Sequence, residues 1–370
     1  MVGYLVSLVI FTAIYALFSL GLNLQWGFTG LINFGYVAFM AIGAYATVLL
    51  SLMGVPLLVA APIGGVLAAI LGLLIGFSTL RLREDYLAIV TIGVSEVVRL
   101  IALNEEWLTR GAFGIQNYPL PLQALTRPNL PSRIGMIAIL AVIMVLAYWQ
   151  WWKWLRQQLK ARSLSAWSTR LTILSTLAFA AFGIWVFVIC AIALFNFADN
   201  PTRNGLMLVS IIVVAITYWA LERLVRSPWG RVLKAIREDE VVARALGKNV
   251  FWYKLQSLMI GGFIGGIAGA LYAWQLPVYP ENFAPLITFN AWTIVVLGGA
   301  GNNPGTILGA VIFWAYTSLT RFLDQDQALP LDSARLGALR IMLIGLLLMV
   351  LMMWRPQGLL GRKEELTLGR

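Results

Sequence analysis

Apolar residues run through this chain in long unbroken stretches, and short polar, glycine- or proline-marked breaks separate them. A helix needs roughly 20 residues to cross a bilayer core of about 30 Å, and several stretches reach that length without a charge. The pattern predicts helices near 4–24, 33–52, 56–80, 86–103, 134–152, 171–195, 205–224, 252–274, 288–299, 305–322 and 337–354. The expected fold is all-α: a polytopic membrane bundle of about 10–11 transmembrane helices. Residues 1–362 form one membrane domain, and 363–370 a short tail. The ninth stretch is short and ends in Leu297-Gly298-Gly299-Ala300-Gly301-Asn302-Asn303-Pro304-Gly305. Its backbone polar groups would go unpaired in lipid, so it is expected to be broken or re-entrant and buried in protein.

Composition supports the same class. Sixty per cent of the 370 residues are hydrophobic and 12% are charged, against about a quarter charged in an ordinary soluble domain. The net charge of +11 does not point to nucleic acid, because the basic residues lie along membrane borders rather than on one polar domain. Alternating sides across eleven spans places nineteen of the 27 Lys and Arg on one face, including Arg81, Arg83, Lys153 and the set from Arg223 to Lys254. The positive-inside rule makes that face cytoplasmic, with the N-terminus outside and the C-terminus inside. No basic residue precedes the first apolar stretch, so that stretch reads as a retained span rather than a cleaved signal. Trp149, Trp151, Trp152 and Trp154 beside Lys153 and Arg156 read as interfacial anchors.

Catalytic chemistry is poorly supplied. The chain has no histidine, which excludes a Ser-His-acid triad and histidine metal sites. Its single Cys190 cannot form an intrachain disulfide and reads as packing. No phosphate-cradling Gly-x-x-x-x-Gly-Lys-Ser/Thr loop is present, so any ATP-driven step must take place on another chain.

Four constellations carry information. The loop 226–254 is the most charged segment: acids at Glu238, Asp239 and Glu240, an apolar run of Val241, Val242, Ala245 and Leu246, and then Arg244, Gly247 and Lys248. Acid first, base last and glycine after is how a short helix of seven or eight residues is stabilised, and so short a helix needs a surface to pack on. Glu96 and Arg99 lie three apart within a predicted span, close enough to pair, either as a structural pair or as part of a permeation path. Gly261, Gly265 and Gly269 recur every four residues, as do Gly72/Gly76 and Gly305/Gly309, which favours close helix approach. Finally, the run from Leu22 to Tyr45 breaks an apolar sequence with Asn23, Gln25, Gly27, Gly30, Asn33 and Gly35, as an irregular segment lining a cavity would.

That last run, Gly30-Leu31-Ile32-Asn33-Phe34-Gly35-Tyr36-Val37-Ala38-Phe39 through Gly43-Ala44-Tyr45, resembles the LivM-type permease subunits of branched-chain amino acid ABC importers. So do Leu80 to Thr91 with Glu96-Val97-Val98-Arg99-Leu100, the glycines from Gly298 to Gly309, and Arg355-Pro356-Gln357-Gly358-Leu359. The likeness covers roughly 1–118 and 205–362, while 119–204 departs, and Arg110 interrupts a segment that is glycine-rich in the family. The resemblance implies alternating-access import of neutral or branched-chain amino acids across a bacterial inner membrane. It implies four kinds of partner: a second homologous permease, two cytoplasmic ATPases that carry ATP and magnesium, a periplasmic amino acid-binding protein, and membrane lipid. No cofactor or metal is expected on this chain. By resemblance, Arg237, Glu238, Asp239, Ala243 and Gly247 couple to the ATPase. Asn23, Asn33, Gly35, Glu96, Arg99, Gly298, Gly299 and Gly301 are expected along the translocation path. Urea or short amides are the alternative cargo within this class. A stand-alone ion-coupled transporter using Glu96 is the alternative outside it, and a membrane-embedded enzyme finds no polar catalytic cluster to use.

Overall fold

A computed structural model describes residues 2–80, 84–121, 128–161, 166–197, 200–325 and 333–361. The tail 363–370 and the basic residues Arg81, Arg83 and Arg162 lie outside the described residues. The helices are α1 (Val2–Leu22), α2 (Val37–Leu52), α3 (Leu57–Thr79), α4 (Glu84–Asn104), the single turn α5 (Glu106–Thr109), α6 (Leu130–Ala161) and α7 (Ala166–Phe195). They continue as α8 (Pro201–Arg226), α9 (Pro228–Glu238), α10 (Glu240–Ala245), α11 (Val250–Gln275), α12 (Leu286–Gly298), α13 (Asn303–Gln325) and α14 (Ser333–Trp354). Each apolar stretch predicted from the sequence contains a helix, but the one expected over 33–52 begins only at Val37. Among the described residues the extended pairing is one isolated bridge between Ile115 and Val278.

Among the described residues, seven helices are long and apolar enough to cross a membrane on their own. α12 and α13 meet that test only together, bent by 118° across a four-residue break. At 13 residues, α12 reaches about 20 Å and falls short of the hydrocarbon thickness. The re-entrant element expected around Gly298–Gly305 is this bend. α2, with 16 residues, is also short, because residues 29–36 before it are irregular.

The chain divides into two compact units, Met1–Ile10 with Pro121–Ala215 and Phe11–Leu120 with Ile216–Arg370. In the first, α6 and α7 pack together; Tyr148 Oη donates to Ala180 O at 2.6 Å. Lys153 lies 3.4 Å from the Trp149 ring centroid, an interfacial cation–π contact.

The second unit is organised around α11, which packs on α2 and α3. The reason is written in the glycine spacing. A Cβ on Gly43 or Gly269 would run into the backbone of Gly266 or Met40, and one on Gly266 would meet Ala68 Cβ at 2.7 Å. Backbones come this close only where side chains are missing, and in lipid such packing supplies much of the attraction between helices. This seam fixes the frame from which the irregular segments hang.

Candidate functional site

α1 does not end in an ordinary cap. It loosens into a π-helical stretch, Asn23–Phe28, and turns at Gly30, whose φ of 82° favours glycine. Residues 29–36 then run back beside α11 and α4 without helical bonds, and side chains take over their backbone groups. Thr91 Oγ1 accepts from Phe34 N at 3.2 Å, Thr288 Oγ1 accepts from Val37 N at 2.9 Å, and Trp292 Nε1 donates to Asn33 O at 3.1 Å. Tyr36 Oη donates to Gly261 O at 2.7 Å. Irregular backbone at membrane depth is tolerated only when its polar groups are satisfied in this way.

The three amides of the run hold it in place. Asn23 is fully buried; its Oδ1 accepts from Gly301 N at 2.9 Å and its Nδ2 donates to Asn303 Oδ1 at 3.2 Å. Asn303 Nδ2 in turn donates to Glu222 Oε2 at 3.2 Å, near the end of α8. Gln25 Nε2 donates to Leu258 O at 3.0 Å, and its Oε1 accepts from Asn33 Nδ2 at 2.9 Å. Asn33 Oδ1 is buried with no hydrogen-bond partner. Gly35 is pressed against the Thr91 carbonyl, which leaves no room for a side chain.

The break between α12 and α13 meets this run at the same end of the unit. Gly299 and Gly301 have φ of 109° and 77°, and Asn302 Oδ1 caps α13 by accepting from Gly305 N at 3.1 Å. Gly298 abuts the Gly305 backbone, so the two helices nearly touch. The segment after α14 closes over the break: Leu359 N and Leu360 N donate to Leu297 O and Gly298 O at 3.0 and 3.1 Å. Beside the junction lies an aromatic group. Trp26 and Trp292 centroids are 4.4 Å apart, Phe34 and Trp292 5.1 Å, and Phe34 and Phe289 5.8 Å.

The charged loop folds into α9 and α10 against this same end. α10 is six residues rather than the seven or eight expected. Glu238 instead closes α9, and Asp239 adopts extended backbone as the N-cap, its Oδ1 accepting from Val241 N and Val242 N at 2.8 and 3.0 Å. Gly247 follows the helix at φ 75°, as its position after the last turn anticipates. Ala243 is buried with Ile236 and Val250 in a small core that joins α9, α10 and the start of α11. Lys254, 6% exposed, donates to Glu240 at 2.6 Å, and Arg244 bonds the other oxygen at 2.7 Å. Burial works against ionisation of Glu240, yet these two cations together hold its carboxyl below the ordinary carboxylate value. Val241 and Leu246 are 76% and 71% exposed. The apolar run read from the sequence therefore faces away from the chain's own core.

At the far end of α11, some 39 Å away by its 26 residues, Glu96 and Arg99 form the pair their spacing predicts. Arg99 Nη2 and Nε bond Glu96 at 2.5 and 3.0 Å. Arg99 Nη1 also bonds Glu281 at 2.9 Å. Arg99 thereby ties α4 to the 3₁₀ turn Pro280–Phe283 that leads into α12. No local pattern marks Glu281, Glu222, Asn303 or Lys254 for these roles, since each has its partner in a different element.

A bundle of membrane-length helices, opened at two discontinuities that share one polar junction and flanked there by a capped helix with a bare apolar face, defines a multi-pass membrane permease. The chain belongs to the family described as branched-chain amino acid transport system, permease component, whose profile matches residues 4–352. It is 32% identical over 359 residues to the Escherichia coli high-affinity branched-chain amino acid transport permease LivM, a match covering 96% of this chain and 69% of that protein. The probable LivM of Methanocaldococcus jannaschii is 25% identical across 96% of this chain and 92% of its own length. LivH of Escherichia coli, a second permease of such a system, is 28% identical over 170 residues, covering 46% of this chain and 51% of LivH. No solved structure matches the chain significantly.

Proposed function

We propose that this chain is one permease subunit of an ATP-driven importer that moves branched-chain and other neutral amino acids across a bacterial inner membrane by alternating access. In this reading it pairs with a homologous permease, two cytoplasmic ATPases and a periplasmic amino acid-binding protein. The observation that carries the ATP-driven part is α10: a helix too short to be stable alone, capped and braced by ion pairs, that leaves Val241, Val242 and Leu246 bare. Glu238, Asp239 and Gly247 serve there as edge, cap and stop of the docking helix, and Ala243 as its anchor. The excess of basic residues on that side supports a cytoplasmic location, with the N-terminus outside.

The path is proposed along the half-buried aromatic group, from the mouth at Glu96 and Arg99 toward the junction. Asn23, Gly35, Gly298, Gly299 and Gly301 shape its wall, and the unmet carbonyl of Asn33 offers an acceptor for a substrate ammonium. Aromatic walls and backbone dipoles suit a zwitterion with an apolar side chain.

The test is uptake by the complex reconstituted in proteoliposomes with labelled leucine, with urea and other amino acids as competitors. ATP-dependent uptake that valine and isoleucine displace and urea does not is the expected result. Val241→Asp and Leu246→Asp should abolish co-purification of the ATPases without unfolding the permease. Uptake without ATPase subunits, driven by a proton gradient and abolished by Glu96→Gln, would instead select the ion-coupled reading.

A further inference from the structure

Arg237 belongs by its position to the charged loop, and an exposed arginine beside a docking helix reads first as a partner contact. Its geometry says otherwise. Arg237 Nη1 donates to the carbonyl of Gly27, inside the π-helical stretch. Gly30 faces the same residue: a Cβ there would lie 3.5 Å from Arg237 Cγ and 3.7 Å from Arg237 Cα. One turn earlier on α9, the Lys234 ammonium lies 5.6 Å from the Phe28 ring centroid. The end of α9 is therefore fastened to Gly27–Gly30 by a charged hydrogen bond and a cation–π contact, with Gly30 close beside Arg237.

What lies beyond Gly27 gives this its meaning. A Cβ on Gly27 would collide with the amide nitrogen of Gly301 and with Asn23 Oδ1, so the two discontinuities meet at this peptide. On the other side, Arg237 is two residues from Asp239, the cap of α10, and α10 is locked to α11 through Glu240 and Lys254. A continuous line of packed groups thus leads from the bare face of α10 through Asp239 and Arg237 to Gly27 and the Gly301 turn. Coupling between distant sites needs such a physical connection to an element with two arrangements, and the glycine break is where the chain bends by 118° between α12 and α13.

We infer that Arg237 is a positioning residue that transmits displacement of α9 and α10 to the helix break at Gly299–Gly301 through the Gly27 carbonyl, and that it does not bind the ATPase. This inference rests on the docking role proposed for α10. Three variants separate the two ideas in the reconstituted complex: Arg237→Met, which keeps the packing stem and removes the donors; Arg237→Lys, which keeps a cationic donor; and Leu246→Asp on the docking face. Arg237→Met is expected to retain ATPase co-purification and ATP hydrolysis while uptake per ATP falls about tenfold or more, with partial recovery in Arg237→Lys. Normal coupled uptake in Arg237→Met, or loss of the ATPases from it, overturns the inference. Normal assembly of Leu246→Asp overturns the docking reading instead.

A second measurement needs no turnover. Amide exchange in the permease alone should quicken at Gly30, Leu31 and Gly301 in Arg237→Met, with the α3–α11 seam unchanged. Unaltered exchange at all three amides would sink the proposed connection even if that variant assembles poorly with its partners.

Discussion

Asn23 offers the sharpest test of how the junction is held. Replacement by Ala removes a part-buried hydrogen bond from Gly301 N and a buried one to Asn303 Oδ1. Polar side-chain bonds between membrane helices contribute about 0.6 kcal/mol on average, and an N–H left unpaired away from water costs a further 1–3 kcal/mol or about that. The Gly301 amide is the group so stranded, because the Gly27 packed against it presents no side chain that could replace Asn23. The expected loss is about 2–4 kcal/mol. For a chain of this size each kcal/mol moves the melting midpoint by roughly 1–2 °C, so Asn23→Ala should melt about 2–8 °C lower in detergent. Ser19 is the internal control. It lies one turn earlier on α1, is equally buried, and its hydroxyl has no hydrogen-bond partner, so Ser19→Ala should be neutral or mildly stabilising. If Asn23→Ala melts no lower than Ser19→Ala, the amide is not what joins the two discontinuities.

The glycine seam predicts a steep contrast between two substitutions of one kind. Gly43→Ala forces α2 off the Gly266 backbone and should cost about 1–3 kcal/mol, seen as lower monodisperse yield and melting temperature, whereas Gly93→Ala, which meets open space, should be neutral or gain about 0.5–1 kcal/mol. The Glu240 brace predicts acid sensitivity with a defined sign. Because its carboxyl sits below the ordinary value, the stabilisation is full at neutral pH and is lost as pH falls below the ordinary carboxylate range. Protonation then removes the charge that ties α10 to Lys254 of α11 and to Arg244, so proteolysis or amide exchange at α10 should rise on acidification, and Glu240→Gln should show the acid-like behaviour already at pH 7.

The sequence carried the helices clearly because apolar length is a property of each segment alone. The seam was legible for a similar reason: Gly261, Gly265 and Gly269 fall on one face whatever they pack against. The pair Glu96–Arg99 follows from helical spacing, and the re-entrant bend from glycines that could not be left facing lipid. The miss at α10 was local. Asp239 read as part of an acidic start, while an aspartate followed by two residues whose amides need partners is also a cap, and the structure uses it as one. What local pattern could not supply were the pairings of Asn23 with Asn303, Arg237 with Gly27 and Arg99 with Glu281, each made between segments far apart in sequence. A polar side chain in a membrane bundle announces that a partner exists without saying which.

The segment after α14 returns to the break, where Leu359 and Leu360 bond Leu297 and Gly298 and Asn302 Nδ2 reaches Leu360 O. These are among the last described residues of the chain to leave a ribosome, yet they complete a turn whose helices emerge much earlier. Until they arrive, Leu297 and Gly298 carry unmet carbonyls at the heart of the bundle. A chain still being synthesised therefore keeps this break open until Leu359 and Leu360 have emerged and folded back onto it.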